Sequence, residues 1–200
     1  MASTLCRCSH MKKSEMRILK TTLPGVLVIE PRIFEDKRGF FTETYHRDRY
    51  MDVGINEIFV QDNLSHSIHG ILRGLHYQLR HSQAKLIQVV RGAIFDVSVD
   101  IRQGSPCFSQ WIGVHVSDEN KRQVFLPKGF AHGFCVLSEE ADVIYKCSDF
   151  YAPDDEEGIL WSDPDIGIDW PITDPLLSDK DSTYPCLRDV PPNRLPIYES

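Results

Sequence analysis

Between Gly25 and Cys147 the chain runs as short apolar-rich segments broken by turn residues. The segments are Gly25–Glu30, Phe40–Tyr45, Glu57–Gln61, Gly70–Gln78, Lys85–Arg91, Ala93–Ile101, Trp111–Ser117, Arg122–Leu126, His132–Leu137 and Asp142–Cys147. Ala93–Ile101 has the clearest period of two. Phe95, Val97, Val99 and Ile101 fall on one face of a strand, and Asp96, Ser98 and Asp100 fall on the other. Gly92, Gly104-Ser105-Pro106, Ser117-Asp118-Glu119-Asn120, Pro127-Lys128-Gly129 and Ser138-Glu139-Glu140 separate the segments. One strand about every ten residues, with no amphipathic stretch of helical length between, predicts an all-β antiparallel sandwich or barrel. A parallel sheet would need helices at its crossovers.

After Tyr151 the texture changes. Prolines and acids in Ala152–Gly158, Trp161–Pro164 and Asp169–Pro171 discourage regular strands and predict loops with one short helix. Trp161 and Trp170 predict that this stretch packs on the barrel. Without internal repeats or low-complexity linkers, residues 21–200 read as a single domain. Residues 1–20 contain Lys12, Lys13, Arg17 and Lys20 and no apolar run, so they do not read as a secretory signal but as a disordered tail or an upstream start.

A chain of 200 residues holds one substantial core. Its formal net charge of -7 disfavours general nucleic-acid binding, which needs a basic surface, yet leaves room for a nucleotide held by a few local cations. No apolar run reaches the roughly 20 residues that span a bilayer. Cys6, Cys8, Cys107, Cys135, Cys147 and Cys186 match no zinc spacing, which favours a reduced, cytoplasmic protein over a disulfide framework.

Candidate chemistry lies in polar residues scattered among the strands: Arg38, Glu43, Gln61, Asn63, Arg73, His76, Lys85, His132, Tyr145 and Lys180. A barrel metal site typically takes two histidines as His-x-His. Here Gly74 and Gln78 flank His76 at those positions, with only His132 as a distant partner, so no metal is expected. There is no Gly-x-Ser-x-Gly elbow and no Gly-rich phosphate loop. Acid–base chemistry on a bound anionic ligand remains, with a lone imidazole titrating near working pH. Such a base needs a carboxylate to fix its tautomer, and Asp181 is the nearest candidate by motif. One conflict is visible, because strict alternation from Gly70 sends Arg73 and His76 to opposite faces. For both to reach one ligand, Gly74 must allow a bulge or twist.

Several blocks together resemble the dTDP-4-dehydrorhamnose 3,5-epimerase family. They are Phe34–Phe41, Phe59–Asn63, Leu72–Gln78, Phe95–Ile101, Glu119–Gln123, Gly129–Phe134, Tyr145-Lys146 and Leu177–Asp181, and they run in order from about Leu23 to Asp181. The resemblance implies a jelly-roll barrel of the cupin kind without metal or cofactor. It implies a homodimer with sites completed across the interface and a dTDP-4-keto-6-deoxyhexose substrate. It makes His76 the base, Asp181 its partner and Tyr145 the acid. Lys85 then stabilises charge on the ketone oxygen, Arg73 and His132 contact substrate, and Tyr151 stacks on the thymine. Arg38, Glu43, Gln61, Asn63, Glu156 and Lys180 match further binding positions, with Arg38 and Glu43 expected to reach the neighbouring subunit. Loop Leu79–Ala84 departs from the family's Pro-rich pattern, which bears on the pocket lip. Alternatives are an epimerase of one centre and a non-catalytic sugar-nucleotide binder; retention of His76, Tyr145 and Asp181 speaks against the latter.

Overall fold

The computed structural model describes residues 16–199. Its strands are β1 (Arg17–Lys20), β2 (Leu27–Glu30), β3 (Ile33–Asp36), β4 (Gly39–Thr42), β5 (Gln61–Ile68), β6 (Leu72–Gln78), β7 (Lys85–Arg91), β8 (Ala93–Asp100), β9 (Trp111–Ser117), β10 (Gln123–Leu126), β11 (Phe130–Val136), β12 (Glu140–Cys147) and β13 (Glu156–Gly158). One six-residue helix, α1 (Arg47–Asp52), lies between β4 and β5. Single turns of 3-10 helix occupy Pro153–Asp155, Leu187–Asp189 and Pro192–Arg194.

Two antiparallel sheets make a jelly-roll barrel of the cupin type. One has six strands in the order β1-β2-β10-β7-β12-β5, the other five in the order β13-β6-β11-β8-β9. β3 and β4 form a separate hairpin. Alternation along the strands splits the apolar residues into three layers. Ile87, Val89 and Val143 of one sheet meet Ile94, Val116, Phe134 and Val136 of the other inside the barrel. Outside the six-stranded sheet, Ile29, Leu86 and Phe125 pack on Tyr50 and Ile55 from the α1 region. Outside the five-stranded sheet, Leu72, Leu75, Phe95, Val97, Val99 and Ile101 pack beneath Ile159, Leu187, Val190 and Leu195, with Trp161 and Trp170 at the margin. The C-terminal segment is therefore a third layer, and each aliphatic side chain it buries contributes about 1.5–3 kcal/mol.

The period of two in β8 has an unexpected consequence. Its apolar face packs outward against this C-terminal layer, while Asp96, Ser98 and Asp100 turn into the barrel and are buried. Asp100 is satisfied by Arg102 and Ser105.

Five elements differ from the sequence pattern, one of them β13, which pairs with β6 inside the Ala152–Gly158 stretch read as loop. Arg17–Lys20, assigned to a tail, pairs with β2 through Arg17↔Glu30 to Lys20↔Leu27; the remainder of that tail up to Glu15, with Cys6 and Cys8, lies outside the described residues. The expected strand Glu57–Gln61 instead begins at Gln61 and continues to Ile68. It went unseen because its inward positions Gln61, Asn63, Ser65 and Ser67 are polar. β3 was missed because its hairpin is mostly exposed, and α1 because six residues are too few to show a period. Among the described residues Cys107, Cys135, Cys147 and Cys186 are free, and no helix is long and apolar enough to cross a membrane.

Candidate active site

A cavity of about 340 Å³ opens between the sheets where their inward positions turn polar, a volume in the range of small-ligand pockets. β5 supplies Gln61, Asn63 and Ser65, β6 supplies Arg73, His76 and Gln78, and β7 supplies Lys85. β11 adds His132 and Phe134, β12 adds Tyr145, and the segment after it adds Tyr151 and Glu156. A more open hollow of about 400 Å³ shares Arg73, His76 and Glu156 with it and continues to Ser178, Lys180 and Asp181.

The conflict between Arg73 and His76 is resolved in the pairing of β6 with β11. His132 pairs with His76 and Phe134 with Arg73, so β6 spends three steps where β11 spends two. The extra residue turns both polar side chains inward while Leu72 and Leu75 stay in the outer layer. Gly74 makes this possible. At φ +122, a Cβ there would stand 2.6 Å from Gly133 Cα and 2.7 Å from the His132 carbonyl oxygen, so no other residue fits.

His76 Nε2 lies 2.6 Å from Asp181 Oδ1, the two residues being 105 positions apart in the chain. Asp181 is 4% exposed, and its other oxygen accepts the Gly74 N–H at 3.4 Å. Burial alone would raise the carboxyl pKa. The His76 hydrogen bond and charge, with Gly74 and Ser178, outweigh burial and hold it below the ordinary value. A carboxylate on Nε2 leaves Nδ1 as the nitrogen free to exchange a proton in the cavity. The Tyr184 ring stands edge-on to the imidazole at 5.8 Å. It fits there because Gly158 has no side chain; a Cβ would lie 2.3 Å from the ring.

Lys85 faces the cavity beside its register partner Cys147. Loss of water pushes the Lys85 pKa below the ordinary lysine value, opposed by Cys147, Glu156 and Asp96. Burial likewise raises the Tyr145 phenol, against the pull of the Arg73 guanidinium, so Tyr145 holds its proton at neutral pH. Arg73 is steadied by Ser67 Oγ at 3.0 Å. Glu156 accepts hydrogen bonds from Tyr151 at 2.7 Å and Lys180 at 2.5 Å. Burial would raise its pKa, but these two donors and His76 lower it overall. Among the described residues no group of three His, Cys, Asp or Glu side chains converges on a metal position.

Eleven of the thirteen residues singled out in the sequence thus line the cavity or its extension. Arg38 and Glu43 do not. Arg38 sits on the β3–β4 hairpin bound to Asp36, and Glu43 is held by Arg49 at 2.7 and 2.8 Å. Residues the sequence reading missed include Ser65, Gln78, Gln83 and Tyr184. Ser65 and Gln78 share a face with residues already singled out, so alternation could have found them; nothing local marks Tyr184. In loop Leu79–Ala84, Gln83 reaches the lining, and buried Asp155 ties the loop down through Arg80 and the His81 N–H.

The family model described as dTDP-4-dehydrorhamnose 3,5-epimerase matches residues 20–189. A dTDP-4-dehydrorhamnose 3,5-epimerase from Shigella flexneri is 55% identical over 168 residues, covering 83% of this chain and 93% of that one. The crystal structure of dTDP-6-deoxy-D-glucose-3,5-epimerase from Legionella pneumophila, in complex with dTDP-4-keto-L-rhamnose, superposes with a TM-score of 0.91 at 49% identity. It covers 93% of this chain and 100% of that one. A dTDP-4-dehydrorhamnose 3-epimerase from Streptomyces niveus is 42% identical over 168 residues, covering 83% of this chain and 81% of that one.

Proposed function

This chain belongs to the dTDP-4-dehydrorhamnose 3,5-epimerase family, and from that premise we propose that it inverts C3 and C5 of dTDP-4-dehydro-6-deoxy-D-glucose. The product is dTDP-4-dehydro-L-rhamnose, the precursor of dTDP-L-rhamnose. The observation that carries the reading is the His76–Asp181 contact of 2.6 Å at a cavity that Lys85 and Tyr145 also line. The C4 ketone acidifies the hydrogens on C3 and C5. His76 Nδ1 takes one of them, and Asp181 stabilises the imidazolium that forms. The electron pair moves to the ketone oxygen, where Lys85 meets it as a partly dehydrated donor worth about 3 kcal/mol. Tyr145 gives its proton to the opposite face of the carbon, and Arg73 favours the phenolate left behind.

The cations at the hollow, Arg73 and Lys180, suit a diphosphate, and exposed Tyr151 suits stacking on the base. Arg38 and Glu43 serve the site of a second subunit. Phe40 and Phe41 on their hairpin are 56% and 68% exposed, as are Leu64 and Ile68 on the outer face of β5 at 67% and 56%. Such apolar surface suits a homodimer interface, which light scattering would register as a doubled mass. The free cysteines suit a reduced cytoplasmic setting.

Proton NMR of the 4-keto-6-deoxyglucose nucleotide incubated with the protein in D₂O tests the reaction. Exchange and inversion at both centres are expected, and absence of any exchange refutes it. The 3-epimerase relative from Streptomyces niveus supports a second reading, inversion at C3 alone; exchange confined to C3 would select it.

A further inference from the structure

Asp181 holds the His76 imidazole at one atom, Nε2. A single hydrogen bond fixes that atom and leaves the plane of the ring open, because the last torsion of a histidine side chain has broad minima. That plane decides where Nδ1 points. Tyr184 stands against it, with ring centroids 5.8 Å apart and the planes at 70°, an edge-to-face contact.

The backbone seats this tyrosine closely. Gly158 pairs with His76 across β13 and β6, and the Tyr184 ring fills the space of the missing side chain. A Cβ at Gly158 would lie 2.3 Å from both Cε2 and Cζ of the ring. The segment that carries Tyr184 also carries Asp181. Its turn is closed by the Ser182 N–H on the Ser178 carbonyl and by the Thr183 N–H and Oγ1 on the Lys180 carbonyl. Just beyond, the Leu160 N–H donates to the Pro185 carbonyl at 2.8 Å and ties the segment to the end of β13. Carboxylate and aromatic ring therefore reach the imidazole on one braced turn.

Tyr184 is not among the side chains that line either hollow. Its hydroxyl is buried, with no hydrogen-bond partner among the described residues. Burial pushes the phenol up to about 12 against the pull of Lys180, so it keeps its proton at neutral pH. The ring, not the hydroxyl, is the part that meets His76.

We propose that Tyr184 is a positioning residue for the base: seated on Gly158, its ring fixes the plane of the His76 imidazole so that Nδ1 points into the cavity while Asp181 holds Nε2. Tyr184 does not touch substrate; it acts through His76. This inference rests on the epimerase reading above.

Tyr184→Ala frees the imidazole to turn. Misplacing a reacting atom by about 1 Å can cost about 10²-fold, so kcat is expected to fall by about 10-fold to 10²-fold with KM nearly unchanged. In 15N NMR of the unliganded protein the His76 ring nitrogens should change from one protonation pattern to a mixture. Tyr184→Phe keeps the ring and should restore most of kcat and the single pattern, with stability no lower than wild type, since the hydroxyl it removes is buried without a partner. Wild-type kcat in Tyr184→Ala, an effect confined to KM, an unaltered His76 spectrum, or no recovery in Tyr184→Phe would each overturn the proposal. Should Tyr184→Ala be recovered only in part folded, Gly158→Ala supplies the same test, because its Cβ displaces the ring without removing it. A fall in kcat per folded molecule supports the role, and wild-type kcat overturns it. Failure of the epimerase reading is distinct, because wild-type protein would then exchange no substrate hydrogen while the His76 spectrum still responded to Tyr184→Ala.

Discussion

The same strands pass through two unlike environments inside the barrel. Toward one end they contribute Ile87 and Val89 from β7, Ile94 from β8, Val136 from β11 and Val143 from β12, all buried against one another. Toward the other, β7 contributes Lys85, β8 Asp96, β11 His132 and β12 Tyr145. At the apolar end every neighbour is satisfied by contact. At the polar end Ser65 Oγ, Asp96 Oδ1 and Ser98 Oγ are buried and unpartnered. Each such atom costs about 1–3 kcal/mol, so folding alone does not account for them. One end of the barrel holds the strands in register, and the other uses that rigidity to hold polar side chains in place around the cavity.

If this division holds, substitutions at the two ends should separate activity from stability. The largest effect belongs to His76→Ala, which removes the proposed base. Exchange of substrate hydrogens with D₂O should fall by about 10² to 10⁴-fold, with nucleotide binding by calorimetry little changed, while the thermal midpoint falls because buried Asp181 loses its partner. Loss of binding with exchange retained would break the comparison. Ile87→Ala at the apolar end should spare activity. Truncating a fully buried isoleucine costs about 2–5 kcal/mol of stability, read from denaturant unfolding, while kcat of the remaining folded enzyme stays near wild type. Lys85→Met keeps the stem and deletes the charge. It should lower kcat by about 3 kcal/mol of transition-state stabilisation and raise stability slightly, since a dehydrated ammonium is replaced by an apolar tip. A loss of stability in Lys85→Met would place that residue with the apolar end.

The sequence displayed these two ends unequally. β8 could be read as a strand because its outward Phe95, Val97, Val99 and Ile101 alternate with polar residues, yet which face turned inward was hidden. The C-terminal layer that covers the apolar face has no periodicity of its own. β5 was invisible for the opposite reason: a strand whose inward positions are Gln61, Asn63, Ser65 and Ser67 gives no hydrophobic signal, although it lines the cavity. The His76–Asp181 contact spans 105 positions, so spacing could not pair the two residues; the motif offered Asp181 as a candidate and the resemblance made it the partner. The shared face of Arg73 and His76 depended on one extra residue at Gly74, which alternation contradicts. Local patterns marked where strands lie; what each strand faces was decided by pairing at long range.

The smallest expected effect concerns the carboxylate behind His76 and is resolved by its sign. Asp181 has its pKa depressed in the folded protein, because His76, Gly74 and Ser178 together outweigh burial. An unfolded aspartate titrates near about 3.9. A group depressed on folding contributes stability above its unfolded pKa, and that contribution disappears as pH falls through the lower, folded value. The wild type should therefore exceed Asp181→Asn in stability at pH values above that unfolded value. The margin should narrow once pH drops below the unfolded value, as wild-type Asp181 takes up the proton that asparagine never needed. Glu156, also depressed, keeps its Tyr151 and Lys180 donors in both proteins. Thermal midpoints of the pair measured from neutral pH to about pH 3 give the curve directly. A margin that stayed flat into acid would mean that Asp181 carries no net stabilising charge, and the polar end would then owe its order wholly to the apolar end that braces it.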